Sequence, residues 1–297
     1  MASTALALDH VGICARALTP MTDAFEALGF ALSPIAQQSG RRTPGGPVEL
    51  YGSGNRCAFL RHGYIELLGI LEPGLFDNDV GKFSDRYEGL HILALGMDDA
   101  EANLARMRRG GIEIAGVAHL QRPVEAGGPI AKFSRLPYPD APEGRLQLIQ
   151  HVTPELVWQP RWMGHANKAD ALTEMVLVSA DAASSAARLS KLTGLVLEPR
   201  QEGGFLLRFP GGARVAGPEA PAMETRVAIL SPGDLPGTFP GVAIPALPFM
   251  AGIYVQTSDG NAAVRALLGK LPLQELADGA LMVPPSHAAG AALVFHP

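Results

Sequence analysis

The sequence predicts an α+β protein built from four βαβββ modules that pair into two domains. Three observations carry this. An 81-residue internal repeat runs through the first half. Caps and glycines mark helix boundaries at matching places in each copy. Short apolar runs of strand length surround those helices.

The first module opens at His10 with "HVGICARALTPMTDAFEALGF", and the second at His91 with "HILALGMDDAEANLARMRRGGI". Each reads as strand, cap, helix and glycine stop. Thr19 with Pro20 is expected to cap the first helix, and Asp98 with Glu101 the second. Gly29 follows His10 by 19 residues, as Gly110 follows His91. The later strands are expected near 31–38, 55–61 and 64–70, then near 112–119, 129–136 and 145–151. "HGYIELL" (62–68) falls on "EGRLQLI" (143–149), so Gly63 matches Gly144 and Glu66 matches Gln147. The separation is 56 residues both from His10 to Glu66 and from His91 to Gln147. The pattern recurs at 174–195, with Asp181 as cap and Gly194 as stop, and at 251–270, with Ser258 as cap. The modules of the first domain are therefore placed at about 5–72 and 86–152. A linker follows at 153–171 and a degenerate second domain at 172–297. The Pro/Gly-rich stretch 209–248 joins the last two modules, and "TRVAILS" within it could be an extra strand.

Composition bounds the partners. The chain has 297 residues, 47% hydrophobic and 18% charged, with net charge −5. No cluster of Lys and Arg is present, so neither nucleic acid nor an anionic membrane is an expected partner. The two cysteines, Cys14 and Cys57, offer no disulfide framework. The first residues lack a basic segment and a long apolar one, and the most apolar run carries Pro240, Pro245 and Pro248. A cytoplasmic protein without a membrane span is expected.

Glu66 raises the chemical question. It sits inside an apolar strand, where an ionised carboxylate costs several kcal/mol unless a cation or strong donors meet it. A buried glutamate often pairs with arginine, and Arg56, Arg61 and Arg145 are candidates. A lone strand histidine is more often structural than functional. Two histidines and two polar residues at one spacing, in two copies of one unit, favour a shared site.

Paired βαβββ units with polar residues on the first and last strands resemble the vicinal oxygen chelate superfamily. Glyoxalase I, extradiol dioxygenases and bleomycin-resistance proteins belong to it. "LDHVGI", "GSGNRCAFLRHGYIELL" and "QHVTPELVWQPRW" look like its glyoxalase-like-domain branch. The resemblance implies a cup of β-sheet with a divalent metal at its base, held by His10, Glu66, His91 and Gln147. Imidazole and carboxylate suit Zn, Fe, Mn, Ni or Co, and no thiolate points to a softer metal. One carboxylate on a divalent ion leaves a charge near +1, which attracts an anionic substrate and stabilises an enediolate. Strand parity adds His62 and Tyr64 on the face of Glu66, and Arg145, Ile149 and His151 on the face of Gln147. Tyr64, His151 and Glu66 are then the acid–base candidates, and Arg145 and His62 the substrate-binding ones.

Three functions follow. The first is a metal-dependent, glyoxalase-like isomerase or lyase acting on a small oxygenated anion; Gln147 stands where glyoxalase I has its basic glutamate. The second is an extradiol-type Fe(II) dioxygenase using His10, His91 and Glu66. The third is a small-molecule binding protein without turnover. After residue 170 the only histidines are His287 and His296. The second half is therefore expected to scaffold the cup, to lid it, or to form a homodimer.

Overall fold

The computed structural model describes residues 4–43, 46–125, 127–139, 141–211 and 221–297. The first module comprises β1 (Ala7–Ala17), α1 (Leu18–Ala27), β2 (Ala36–Gly40), β3 (Glu49–Phe59) and β4 (Tyr64–Ile70). Helix α2 (Val80–Arg86) leads to the second: β5 (Gly89–Gly96), α3 (Ala100–Arg109), β6 (Ala118–Pro123), β7 (Ile130–Pro137) and β8 (Arg145–His151). Two 3-10 turns, Pro154–Leu156 and Pro160–Trp162, precede the third module. That one contains β9 (Ala169–Val178), α4 (Ala182–Thr193), β10 (Glu198–Pro199), β11 (Phe205–Phe209) and β12 (Thr225–Leu230). A short helix, α5 (Leu235–Thr238), connects to the fourth: β13 (Phe249–Thr257), α6 (Ala262–Leu268), β14 (Gln274–Glu275), β15 (Leu281–Val283) and β16 (Ala292–His296).

Every module closes the same way. Its first strand lies parallel to its last, and the last runs antiparallel to the third, as in β1–β4–β3 and β5–β8–β7. The first strands of neighbouring modules pair antiparallel, β1 with β5 and β9 with β13. The pair Met250–Leu90 joins both halves into one sheet. The largest hydrophobic cluster draws on all four modules: Val11 and Leu93 from the first half pack with Met175 and Ile253 from the second.

The four-module reading of the sequence stands, with local corrections. Helix α3 is capped by Asp99, whose side chain accepts from Ala102 N at 2.9 Å, rather than by Asp98. Helix α1 begins at Leu18 after Ala17, without a side-chain cap. Asp181 and Gly194 bound α4 as expected, with Gly194 at φ +76°. At α6 the cap position is Asn261, not Ser258, and Asp259 Oδ2 accepts from Ala263 N at 2.8 Å. Strand β2 begins five residues later than expected, because Ala31 and Ser33 donate to His165 Nδ1 and Cys57 O. "TRVAILS" is no extra strand: it forms β12, the last strand of its module, parallel to β9. Residues 212–220 of the Pro/Gly-rich stretch lie outside the described residues. No helix among the described residues is long and apolar enough to cross a membrane.

The two cups differ. In the second half, Phe239, Val242, Ile244 and Ala246 from the β12–β13 connection pack onto Val176, Ala228, Ala251 and Val294. That cup is filled by its own chain. In the first half, α2 covers only one end, where Val80 and Phe83 meet Cys14, Leu68 and Ile92. The rest is open.

Candidate functional site

The open cup is a cavity of about 300 Å³. From β1 and β4 come His10, Tyr64 and Glu66; from β8 come Arg145, Gln147 and Ile149. The registers explain this. His10 pairs with Tyr64 and Gly12 with Glu66 across β1–β4, and Ile92 pairs with Arg145 and Ala94 with Gln147 across β5–β8. Parallel partners share a face, so parity carries one set of side chains into the cup.

Glu66 meets an amide. Asn55 Nδ2 donates to its Oε1. None of the three arginine candidates is its partner: Arg56 pairs with Glu26, Arg61 with Asp170, and Arg145 donates to Asn78 O at 2.7 Å. The nearby cation is Arg135, on β7. Its Nη1 lies 3.4 Å from Gln147 Oε1, and its buried Nε has no hydrogen-bond partner among the described residues. Arg122 also lines the cup, with its guanidinium 5.9 Å from the Phe133 ring centre. The lining includes four arginines, Arg41, Arg122, Arg135 and Arg145, and one acidic residue, Glu66; Arg145 is also ion-paired with Asp79 at 3.6 Å.

His10 is held from behind. Its Nδ1 donates to Asp9 Oδ1 at 2.6 Å, and its ring stacks on Tyr64 with centroids 4.3 Å apart. Asp9 is fully buried and also accepts from His151 Nε2 at 3.0 Å. Burial alone would raise the Asp9 carboxyl pKa, but the charge of His151 and the hydrogen bonds from both imidazoles outweigh it and hold it at about 2. An ionised Asp9 fixes the proton on His10 Nδ1 and leaves Nε2 as the basic nitrogen.

Adjacent strand residues normally face opposite ways, yet Asp9 reaches the ring of His10. The β1–β5 register slips between Leu8 and His10, leaving Asp9 as an extra residue in a bulge. A second slip, between Ile92 and Leu90, puts His91 in a matching bulge on β5. A bulge re-aims its side chain.

That second bulge corrects the sequence-based ligand set. His91 does not enter the cup. It is buried toward α2, stacked on Tyr87 at 4.0 Å and Phe83 at 5.1 Å, with Nε2 2.7 Å from Tyr87 O. Burial drives its pKa down to about 4. The place symmetric to His10 belongs to Ile92, an alkyl group. The repeat offset is 81 on the last strands but 82 on the first, so His91 is equivalent to Asp9.

Two further assignments change. His151 lies on the cup side of β8 but outside the cavity, sealed beneath Trp158 with ring centroids 4.6 Å apart; it touches Asp9, not the cup. His62 precedes β4 in the turn and bridges to Ala171 on β9, away from the cup. Tyr64 does line the cup. Burial first, then the charge of Asp9, pushes its phenol well above its ordinary range, so it stays protonated.

The donor set does not fit a four-ligand divalent metal centre. Of the expected ligands, the cup holds one imidazole, one carboxylate already bonded by Asn55, and one amide lying against a guanidinium. Among the described residues, no group of three or more His, Cys, Asp and Glu side chains could hold an ion. Asp9, Arg122, Arg135 and Asn55 were not singled out by sequence reasoning. Arg135 and Phe133 were readable as same-face neighbours on the predicted strand 129–136. Asp9 carried no such signal, because its orientation depends on the bulge.

Comparison with known proteins agrees with this architecture. A hypothetical protein from Staphylococcus aureus superposes with a TM-score of 0.64 at 12% identity, over 98% of this chain and 99% of that one. The Mn(II)-bound glyoxalase from Novosphingobium aromaticivorans gives 0.52 at 11% identity, over 99% and 82%. A xylose isomerase-like TIM barrel/4-hydroxyphenylpyruvate dioxygenase fusion protein gives 0.53 at 14% identity, over 93% of this chain and 40% of that one. At these identities the likeness is one of fold, and divalent metal use occurs on that fold. No curated protein sequence matches the chain. The family model for the glyoxalase-like domain matches residues 8–193. The chain therefore belongs to the glyoxalase-like domain family, within the vicinal oxygen chelate superfamily.

Proposed function

We propose that the open cup binds a small oxygenated anion and moves a proton on it, in isomerase- or lyase-type chemistry. The observation that carries this is the lining: four arginines against one glutamate, around a histidine whose tautomer a buried aspartate fixes. Guanidinium groups recognise carboxylates through paired donors. Arg135 and Arg122 bind the anion and offset the charge that develops on its carbonyl oxygen. His10 Nε2 takes the proton from the carbon beside that carbonyl, and the electron pair moves to the oxygen as an enolate. The proton then returns to the same or the neighbouring carbon. Tyr64, protonated and stacked on His10, donates to the substrate, and Glu66 is the second group able to relay the proton. No step requires the extradiol arrangement, since His91 faces α2.

The test is proton exchange in D2O. Chelator-treated protein is incubated with a panel of 2-oxo carboxylates, and loss of the C–H signal beside the carbonyl is followed by NMR. Exchange is expected, with a loss of about 10²–10⁴-fold in His10→Ala and weaker binding in Arg135→Met. Exchange that appears only on adding a divalent metal would overturn the proposal. So would binding with no exchange, which would make the cup a carrier.

A further inference from the structure

A second cavity, of about 160 Å³, opens beside the cup. The two share Ala36, Asn55, Arg122 and Val157 as common wall. Their chemistry differs. Guanidinium, amide and carboxylate groups line the cup, with Ile92, Leu120, Phe133 and Ile149 among them. The annex is walled by Phe59, Ala131, Leu156, Val157 and Trp162, several of which belong to one apolar cluster, with Ser33, Glu125 and Gln159 also on its wall. The Arg161 guanidinium lies 4.7 Å from the centre of the Trp162 ring and ion-pairs with Glu125. At ~30 Å³ per non-hydrogen atom the annex has room for roughly five such atoms.

We propose that the ligand is an amphiphilic anion, with its carboxylate held in the cup by Arg135 and Arg122 and a short apolar tail seated in the annex. Arg122 stands at the junction and lines both compartments. An acid of two or three carbons, held at Arg135 and Arg122, stays within the cup, whereas a longer tail that turns past Arg122 enters the second compartment. This inference deepens the reading of the cup as an anion site and rests on it.

The probes are straight-chain monocarboxylates, from butyrate to octanoate, titrated by calorimetry against the whole chain. Affinity is expected to rise roughly fourfold per methylene, which corresponds to ~0.8 kcal/mol each, until the annex is full. Trp162 lies in a partly exposed turn, so Trp162→Ala leaves the fold intact. That variant is expected to flatten the rise for octanoate and leave butyrate unchanged. Arg135→Met is expected to weaken both acids by tenfold or more. Equal affinity for butyrate and octanoate would overturn the annex and leave the anion site standing. An undiminished rise in Trp162→Ala would do the same, by placing the tail elsewhere. Octanoate binding that survives Arg135→Met would mark adventitious apolar association and overturn the inference. No binding of any carboxylate would overturn the anion site itself, and the annex with it.

Discussion

Asp9 and His91 occupy equivalent bulges and answer to acid in opposite senses of charge. His91 is buried neutral, with a pKa lowered from 6.5 to about 4 by desolvation. The unfolded chain therefore binds a proton more readily than the folded one between those values. The stability this represents is complete above pH 6.5 and is lost as pH falls through about 4; a shift of that size corresponds to roughly 3 kcal/mol. Asp9 is buried ionised, lowered from 3.8 to about 2. Its contribution is complete above 3.8 and is lost as pH falls through about 2. Melting temperature is thus expected to drop in two stages. In His91→Gln the drop between pH 6.5 and 4 should shrink, while the one below pH 4 should remain. An unchanged profile in that variant, measured by calorimetry across the range, would show that His91 titrates normally. His10, Tyr64, Glu66, Arg145 and Gln147 were legible as cup residues, because parity and pairing suffice to place them. His91 was not, because one extra residue in a strand turns the side chain away without altering the sequence pattern.

At the scale of elements, the turn before the last strand of each of the first two modules is built against the bulge. Gly63 has φ +74°, and a Cβ there would lie 2.8 Å from the carbonyl oxygen of Asp9. Gly144, its counterpart, has φ +144°, and a Cβ there would collide with the carbonyl oxygen of His91. The matched glycines in the repeat therefore mark a real packing relation. Each lets the last strand approach the bulge closely enough to hold register. Gly144→Ala combines a left-sided φ with a backbone collision, so its cost is expected at about 2 kcal/mol or more. Part of that loss should appear as slippage of β8, which would move Gln147 and Arg145 out of the cup. Denaturant melts and carboxylate titrations together would check this; full stability in Gly144→Ala would remove the bulge–glycine coupling. Caps were readable to within a residue at α3 and α4, where an Asp side chain meets a free amide. The starts of β2, β3 and β6 were not, since loop hydrogen bonds rather than periodicity decide where pairing begins.

The whole molecule raises the question of how independent its halves are. Sequence symmetry suggests two domains joined by a linker. The packing argues for one cooperative body. The backs of β1 and β5 bury Val11, Leu93 and Leu95 against Leu172, Met175 and Ile253 of the second half. Hydrogen bonds cross the same boundary: Ala5 N donates to Thr193 O at 2.9 Å, Leu8 N to Thr225 Oγ1 at 2.7 Å, and Leu172 N to His62 O at 2.9 Å. Arg188 also reaches across to the fully buried Glu143, at 2.8 Å. An uncompensated carboxylate at that depth costs several kcal/mol, so neither half can shed the other cheaply. The filled second cup fits this role: it stiffens a platform on which the open cup rests, and His62 is spent on the joint rather than on the substrate. Calorimetry of the full chain is therefore expected to show a single transition, with calorimetric and van't Hoff enthalpies equal. Arg188→Ala should lower the melting temperature of that one transition and not split it. Two resolved transitions, in either protein, would mean that the halves fold separately and that the shared core contributes little to their union.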